Sequence, residues 1–522
     1  MNEEYELKLA LSPGNLERLG RSSLIRSLAN RRSSRKQLVS TYFDTPDHSL
    51  RRQGMALRVR QVGKKRIQTL KAAAGRASGL QHYREYEAEI RQDAPDLDLI
   101  EDPEIQAIFE REDLVHRLEP VFTTRFARRT IPLTFEDSEI ELALDVGEIE
   151  AGAQRLPISE AEFELIEGHH TRLYELALAV NEKLPCHLER RTKAARGYDL
   201  DRGTAPQHVK AKAIQLDPGM TAAEAFAAAA GSCLAQIHAN EPVVLNSDNP
   251  EGVHQLRVGV RRLRAVIGSF RRVIDNTAFD FLRKELRWLQ QKLGPAREWD
   301  VFIHETIDPL QPRMPGESSL GTLREAAQEA QDRGYREARE TLMAGRYTAL
   351  MLQLALWLDK GSWMPPADGG ESDPRATSVL EFAAQVLEMR DRKLRKLAGK
   401  SRRLREEELH KVRIRAKQTR YPAEFFRSLF PAAAVKRQLE ALEAIQDALG
   451  SLNDAVVGRH LLKHLLDNAR DTATAKRIRA ATALVEGWQA ACIDRDLKHF
   501  DESWTRYRRA KRYWRAQASR SS

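Results

Sequence analysis

Charged residues near the start of the chain alternate with apolar ones. Glu4, Glu6 and Lys8 are separated by Tyr5 and Leu7. Alternate residues of a β-strand project from one face of the sheet, so the three charges would share a face. Carboxylates gathered in this way repel one another, and a hard divalent cation is their natural complement. A single stretch of this kind is more typical of a solvated strand face than of a charged interior. Whether the pattern recurs in other strands therefore decides between these two interpretations.

The same spacing does recur, with the two signs kept on separate segments. Arg58 and Arg60 alternate in one segment, and Lys71 follows in Thr69-Leu70-Lys71. Carboxylates alternate in the segments 84–89 and 162–165. A solvated face tends to mix its signs, whereas these segments do not. Because Arg and Lys clusters bind phosphate oxygens, the pattern predicts an extended phosphate chain held with Mg²⁺ or Mn²⁺ inside a closed sheet.

Strand-like alternation runs through the first 203 residues and is interrupted by helical periodicity. The predicted strands are Gln37–Phe43, Met55–Val62, Arg66–Lys71, His82–Ile90, Val121–Leu133, Glu139–Ile149 and Glu160–Ile166. The predicted helices are Asn15–Leu28, Leu99–Phe109 and Thr171–Leu184. So many roughly antiparallel strands predict an α+β fold whose sheet closes into a barrel or curls strongly.

Residues 204–216 are a predicted linker, after which the sequence becomes helical. Residues 217–510 form the predicted helical domain and 511–522 a basic tail, and the clearest loop is Gly361–Pro374. The motif that starts at His254 recurs at His410, an offset of 410 − 254 = 156 residues. The Leu-Gly pairs that end at positions 294 and 450 keep the same offset. The duplication predicts two pseudo-symmetric helical bundles.

Each copy of this repeat carries a basic stripe at helical spacing. The stripe positions are His254, Arg257, Arg261 and Arg264 in the first copy, and His410, Arg413, Lys417 and Arg420 in the second. A solvated basic face is the usual fate of such a run, but its recurrence in register favours an anion site. Zinc binding is not expected, because no second His or Cys lies at ligand spacing.

Composition limits the remaining possibilities. The chain has 522 residues, a net charge of +10 and three widely separated cysteines, which predicts two or three domains, an anionic partner and a reducing cytoplasm. Neither a signal peptide nor a membrane-spanning run is apparent. The segment 506–515 mixes aromatic and basic residues as nucleic-acid-binding segments do, but an amphipathic helix with its aromatic residues packed inward is favoured.

The motifs of the first half resemble the CYTH family, the triphosphate tunnel metalloenzymes. The resemblance rests on Glu4-x-Glu6-x-Lys8, Tyr42-Phe43-Asp44-Thr45, Leu57-Arg58-x-Arg60, Thr69-Leu70-Lys71, Arg84-Glu85-Tyr86-Glu87 and Glu162-x-Glu164. It implies an eight-stranded antiparallel β tunnel with flanking helices over residues 1–203, which holds triphosphate along its axis.

This resemblance also implies roles for individual residues. The implied metal ligands are Glu4, Glu6, Asp145, Glu162 and Glu164. The implied triphosphate-binding residues are Lys8, Arg58, Arg60, Lys71 and Arg128. The implied catalytic residues are Glu85, Glu87 and Lys193. Arg125 and Arg128 have opposite strand parity, so only one can easily face inward, and Arg128 is favoured.

The motifs of the second half resemble the CHAD domain, a family of paired helical bundles. The resemblance rests on the two stripes, the Leu-Gly pairs and Arg420-Tyr421-x-x-Glu424. It implies an all-α domain that binds inorganic polyphosphate in a basic central cavity, through the eight stripe residues.

The two resemblances together predict a cytoplasmic, divalent-metal-dependent inorganic triphosphatase with an attached polyphosphate-binding module, associated with polyphosphate granules. A class IV-type adenylate cyclase, a thiamine-triphosphatase and a non-catalytic polyphosphate-binding protein stay open as alternatives. A nucleic-acid-binding protein is supported only by net charge and the tail. The sequence decides neither the preferred chain length, nor Mg²⁺ against Mn²⁺, nor the oligomeric state.

Overall fold

The computed structural model describes residues 2–75, 81–111, 113–203, 205–274, 276–361, 377–398 and 405–515. Residues 362–374 of the predicted loop, Thr204 of the predicted linker and residues 516–522 of the predicted tail lie outside the described residues. The chain divides into two compact units: residues 1–206 with 342–362, and residues 207–341 with 363–522.

Antiparallel strands form the sheet of the first unit. They are β1 (Asn2–Ala10), β2 (Ser34–Asp44), β3 (Met55–Val62), β4 (Lys65–Gly75), β5 (Gln81–Ile90), β6 (Glu119–Phe135), β7 (Ser138–Ala151), β8 (Gln154–Glu167) and β9 (His187–Glu189). Their order is β5-β4-β3-β2-β6-β7-β8-β1-β9, and β1 also pairs with β5. The first part of β1 therefore closes an eight-stranded barrel, while its last part pairs with the short β9. The predicted eight-stranded antiparallel tunnel is confirmed.

The barrel has an apolar outer face and a largely polar interior, in which Phe126 of β6 lies against Arg128 and Lys193. Residues between the charged positions of β1, such as Leu7 and Leu9, are almost fully buried. Helices cover this outer face: Ile105 and Phe109 of one of them pack in a cluster with Leu57 of β3. The helices of this unit are α1 (Pro13–Gly20), α2 (Ser23–Leu28), α3 (Ser49–Arg52), α4 (Pro103–Arg111), α5 (Thr171–Lys183) and α6 (Lys193–Arg202). Hydrophobic burial outside the barrel leaves its interior available for charge.

The helix α6 packs against apolar residues of the barrel interior. Thr192 caps it, because the hydroxyl oxygen accepts a hydrogen bond of 2.9 Å from the Ala195 amide. Ala194 and Tyr198 pack in one cluster with Phe122 and Phe126. A Cβ atom at Gly197 would lie 2.1 Å from a ring carbon of Phe122, so α6 can approach β6 this closely only with glycine there. The cap places Lys193 at the first position of α6, facing the lumen.

One later helix, α13 (Gly345–Asp359), belongs to this first unit rather than to the helical one. It packs against α5. The Asn181 side-chain amide donates a 2.8 Å hydrogen bond to the Gly345 carbonyl, and the Thr348 hydroxyl donates one of 2.6 Å to the Cys186 carbonyl.

The second unit is helical and internally repeated. Its helices are α7 (Ala222–Asn246), α8 (Pro250–Ser269), α9 (Asn276–Lys292), α10 (Gly294–Val301), α11 (Asp308–Leu310), α12 (Ser318–Met343), α14 (Val379–Ala398), α15 (Glu406–Phe425), α16 (Ala432–Ala448), α17 (Gly450–Asp467) and α18 (Thr472–Arg509). The helices α8, α9 and α10 begin 156 residues before α15, α16 and α17, since 406 − 250, 432 − 276 and 450 − 294 all equal 156. The repeat found in the sequence is thus a repeat of helices, which confirms the two pseudo-symmetric bundles.

The segments that flank the helical repeat are packed against it. Within the predicted linker, Val209 exchanges two hydrogen bonds of 2.9 Å with the Asn240 side chain. At the other end, Tyr513 and Trp514 are buried, and the Trp514 indole donates to Glu388 at 2.9 Å. The aromatic residues of the C-terminal segment thus pack inward, as predicted, but the helix ends at Arg509, so Tyr513 and Trp514 lie beyond it. Among the described residues, no helix combines the length and the apolar composition needed to cross a bilayer.

Candidate functional site

The barrel lumen contains a cavity of about 450 Å³ lined by charged side chains. Its acidic lining residues are Glu4, Glu6, Glu85, Glu87, Glu141, Glu162 and Glu164. Its basic lining residues are Lys8, Arg51, Arg58, Arg60, Lys71, Arg128 and Lys193. Every site residue predicted for the first half lies among them except Asp145, which is fully buried beside Arg128 and Lys193.

Three carboxylates stand side by side across neighbouring strands. Glu6 of β1 is in register with Glu164 of β8, and Glu164 is in register with Glu141 of β7. Directly paired residues have Cβ atoms about 4.5–5.5 Å apart, and like charges at that separation repel. Burial, reinforced by Glu4 and Glu6, raises the pKa of Glu164 to about 7. We call Glu4, Glu6, Glu141 and Glu164 the carboxylate row.

The other predicted metal ligands, Asp145 and Glu162, lie in a different environment. Together with Glu160 they form a triad whose ligand oxygens lie within 4.8 Å of one another. The Lys193 ammonium contacts all three carboxylates, at 2.6 Å, 2.5 Å and 2.9 Å from Asp145, Glu160 and Glu162. Arg128 also pairs with Asp145 and Glu162. Burial acts to raise the pKa of Glu162, but Lys193, Lys8 and Arg128 hold it well below its ordinary value. The protein's own cations therefore neutralise this triad.

The carboxylate row is less completely neutralised. Lys71 pairs with Glu4 at 2.6 Å, and Lys8 pairs with Glu6. Among the described residues, neither Glu141 nor Glu164 has an ion-pair partner. Clustered carboxylate oxygens are the donor set that Mg²⁺ and Mn²⁺ prefer. The row therefore keeps more carboxylate charge available for a divalent cation than the triad does, although among the described residues only the triad brings three ligand oxygens within 4.8 Å of one another.

Positive charge accumulates on the β3 side of the lumen. The Arg60 guanidinium donates a 3.1 Å hydrogen bond to the Ser40 hydroxyl, and no carboxylate of the described chain pairs with it. Burial, with Arg58 and Arg128 nearby, lowers the pKa of Arg60 to about 9. Arg58 lies 3.8 Å from Glu85, which is also 3.6 Å from Lys71. A bound anion would offset this excess of positive charge.

The structure also answers the parity question for β6. Arg128 lines the lumen and reaches Asp145, whereas the Arg125 side chain is 54% exposed and pairs with Glu150. Glu85 and Glu87 both line the cavity from β5, and Glu87 is the more exposed.

Several residues in or beside the lumen were not among the predicted site residues, Arg51 of α3 among them. Glu141 has the same strand parity as Asp145, and Glu160 has that of Glu162, so alternation alone could have indicated both. Tyr42 stacks on Phe122 with ring centroids 4.5 Å apart. Burial acts to raise the pKa of Tyr42, but Arg58, Arg60 and Lys193 outweigh it and lower the pKa. No local sequence feature shows that this tyrosine would face two guanidinium groups.

In the helical unit, the stripes of α8 and α15 come together. Burial, together with Arg413 of α15 and Arg261 of α8, lowers the pKa of Lys417 to about 7, so charges from both helices act on this side chain. The Nε atoms of Arg257, Arg261 and Arg413 are buried without a hydrogen-bond partner. The strongest acidic influences are those of Glu298 on Arg257 and of Asp454 on Arg413, and these two carboxylates occupy equivalent positions of the repeat. We call Arg257, Arg261, Arg413 and Lys417 the cationic cluster.

The remaining stripe residues differ from one another. Burial and Arg297 lower the pKa of His254 to about 4, so this imidazole is neutral at pH 7. His410 is half-buried at the equivalent position. Arg264 donates to the Gln290 side chain, whereas Arg420 pairs with Glu424 at 2.7 Å. The structure thus brings four of the eight stripe residues into the cluster and leaves the others beside it.

Comparison with known proteins agrees with this two-part organisation. Residues 2–198 match the CYTH domain family and residues 228–463 match the CHAD domain family. An inorganic triphosphatase of Haemophilus influenzae is 35% identical over 205 residues, 38% of this chain and 55% of that protein. An uncharacterized protein of Mycobacterium tuberculosis is 26% identical over 236 residues, 43% of this chain and 42% of that protein. The chain thus spans about half the length of these relatives.

A solved structure provides a comparison for the helical unit. The crystal structure of the CHAD domain from the plant Ricinus communis has 30% sequence identity and a TM-score of 0.50, and the match covers 58% of this chain and 98% of that one. The chain therefore contains a CYTH domain and, after it in the sequence, a CHAD domain.

Proposed function

We propose that the barrel hydrolyses inorganic triphosphate, or a related short phosphate chain, with Mg²⁺ or Mn²⁺ as cofactor. The observation that carries this proposal is the charge separation inside the lumen. The carboxylate row has fewer cationic partners than carboxylates, and Arg60 on β3 has no carboxylate partner among the described residues. A phosphate chain with its cation would satisfy both sides at once.

In this proposal Glu4, Glu6, Glu141 and Glu164 hold the cation. A bound Mg²⁺ or Mn²⁺ supplies positive charge that offsets charge developing on the phosphate oxygens. Arg58 and Arg60 bind and orient those oxygens from β3, and Lys8 and Lys71 do so from β1 and β4.

The remaining groups position the water and the buried carboxylates. Glu85 and Glu87 reach the cavity from β5 and can accept hydrogen bonds from the attacking water. Water attacks the terminal phosphorus, the bridging P–O bond breaks, the departing diphosphate keeps the bonding electron pair, and the proton released by the water passes to solvent. Lys193, enclosed by three carboxylates, stays protonated and holds Asp145, Glu160 and Glu162 in place instead of transferring a proton.

Phosphate release from tripolyphosphate tests this activity. We expect turnover with Mg²⁺ or Mn²⁺ and none with EDTA. Turnover should fall by about 100-fold or more in Glu6→Gln, because the variant loses one charged ligand of the cation that stabilises the transition state. Glu148→Gln is the matched control. This carboxylate lies on β7 with the strand parity opposite to that of Glu141, so it faces away from the lumen, and its side chain is 43% exposed. Equal activity in Glu6→Gln and wild type would contradict the proposal.

Thiamine triphosphate, ATP and long-chain polyphosphate serve as alternative substrates, and cyclic AMP formed from ATP would assign a cyclase instead.

We further propose that the helical unit binds inorganic polyphosphate at the cationic cluster. Guanidinium Nε atoms that are buried without hydrogen-bond partners favour an anion whose oxygens supply them. Retention of the full chain on immobilised polyphosphate in EDTA tests this proposal. We expect Arg257→Ala/Arg413→Ala to weaken binding by about tenfold or more, because two desolvated cations are lost. Unchanged retention would contradict the assignment.

A further inference from the structure

The two halves of the helical repeat agree at the cationic cluster but differ one turn farther along each stripe. Arg264 of α8 and Arg420 of α15 are equivalent, since 420 − 264 = 156. Arg420 is neutralised by Glu424 at 2.7 Å and Glu443 at 3.3 Å. Arg264 has no carboxylate partner among the described residues, and its guanidinium donates to the neutral Gln290 side chain.

The difference continues on the helices that flank the two stripes. In place of Glu440 and Glu443 on α16, the equivalent positions of α9 carry Lys284 and Arg287. Arg283, four residues before Arg287, also lies on α9. All five of these side chains are exposed. One helix pair has thus reversed its surface charge while keeping the same fold.

Arg264, Arg283 and Arg287 lie close enough to influence one another. Burial lowers the pKa of Arg264, and Arg287 and Arg283 lower it further. Asp280, one turn before Arg283, is the exposed acidic residue of α9, and it makes no ion pair among the described contacts. A solvated basic face is the simplest explanation of exposed Arg and Lys. That explanation gives no reason for like charges to gather at one end of a stripe while the equivalent end is neutralised.

We propose that an anionic phosphate chain bound at the cationic cluster continues over the first half of the repeat only, along Arg264, Arg283 and Arg287. We call these three residues the exit track. The acidic groups Glu424 and Glu443 close the equivalent path over α16 by repelling the same chain. This inference rests on the proposed binding of polyphosphate and adds a direction to it. A long chain contacts both cluster and track, whereas tripolyphosphate carries few enough charges to be held by the cluster alone.

Binding of fluorescently labelled long-chain polyphosphate to the full-length protein in EDTA tests the exit track. The variant is Arg283→Glu/Arg287→Glu, and the control is Lys476→Glu/Arg479→Glu, which changes the net charge equally at exposed positions of α18. At low salt, about 50 mM, we expect the track variant to bind long chains about tenfold or more weakly, and the control to bind like wild type. Loss of two phosphate contacts should also reduce the magnitude of the log–log salt slope by about 1.4. Binding of tripolyphosphate should weaken much less, because the cluster alone can hold it.

The possible outcomes separate the two proposals. A wild-type chain that binds no polyphosphate overturns polyphosphate binding itself, and the track with it. Wild-type binding together with an unaffected track variant overturns only the track. Equal losses in the track variant and the control also overturn it, since net charge would then explain the effect. If the track variant instead loses affinity for single-stranded DNA while its polyphosphate binding is unchanged, the occupant is a nucleic acid and the proposal is wrong. A further variant, Glu443→Arg, should bind long chains at least as tightly as wild type.

Discussion

At the scale of single residues, Glu164 shows how the carboxylate row depends on protonation. Its pKa rises from an ordinary 4.5 to about 7, chiefly through burial and then through Glu4 and Glu6. Between these two values the folded state binds a proton that the unfolded state has released. The contribution of Glu164 to the stability of the metal-free protein therefore falls as the pH rises from about 4.5 to about 7.

Glu164→Gln should remove this dependence. In EDTA, the free energy of unfolding of the variant minus that of wild type should increase steadily across this window and become constant above it, because glutamine does not titrate. Urea unfolding at successive pH values measures the difference. Addition of Mg²⁺ at pH 8 should stabilise wild type more than the variant, since a ligand of the folded state is lost. A constant difference across the window would contradict the burial and crowding of Glu164.

Removal of Lys193 should cost a large part of the stability of the protein. Its ammonium contacts three carboxylates and its side chain is only 7% exposed. Lys193→Met leaves those charges buried without their cation, so we expect a loss of about 3–5 kcal/mol in the free energy of unfolding. Lys65→Met breaks a surface pair with Glu89 whose side chains are more than half exposed, and should cost much less. Adding Glu160→Gln to Lys193→Met should recover part of the loss, whereas an additive double variant would show that Lys193 does not neutralise this carboxylate.

At the scale of secondary-structure elements, the period of two in the charges made the strands predictable, and β3 begins and ends where predicted. The predicted helix Asn15–Leu28 is instead two helices, because Ser22 caps a new one with its side chain. Strand parity showed which residues could face the lumen. It could not show that Lys193 neutralises Asp145 and Glu162. That contact depends on the register between strands and on the position of α6 against the barrel, and both are set by tertiary packing. Nor does the apolar composition of α13 reveal which unit it joins.

Gly197 tests whether α6 depends on close approach to the barrel. Alanine normally stabilises a helix by about 1 kcal/mol relative to glycine. Here the added methyl would lie 2.1 Å from the Phe122 ring, and overpacking of this kind costs about 1–3 kcal/mol. We therefore expect Gly197→Ala to be destabilising in urea unfolding. Gly14→Ala, in α1 of the same unit with no atom within 4 Å of the added Cβ, should be neutral or stabilising. Equal effects of the two substitutions would contradict the close packing of α6.

At the scale of the whole molecule, duplication brings the basic stripes of α8 and α15 together. The resulting positive charge density is higher than that of either stripe alone. Arg261 and Lys417 occupy equivalent positions, and each half contributes to the environment of the other. A single half would leave its stripe in solvent, where the pKa values of lysine and arginine stay far above neutrality. The lowered pKa of Lys417 is therefore a property of the assembled pair.

This dependence on both halves gives polyphosphate binding a predictable response to pH. The pKa of Lys417 is about 7 in the free protein, against an ordinary 10.5, so the side chain loses its charge as the pH rises through neutrality. Because an anion binds the charged form, affinity for polyphosphate should fall between about pH 6 and pH 8, with proton uptake on binding at the upper end. Lys417→Arg keeps the charge over this range and should flatten the dependence while binding at least as tightly at pH 8. Isothermal titration calorimetry in buffers of different ionisation enthalpy measures both affinity and proton uptake. A wild-type affinity that does not change with pH, or an arginine variant that keeps the full dependence, would show that the two stripes do not bring their charges close enough to lower the pKa of Lys417.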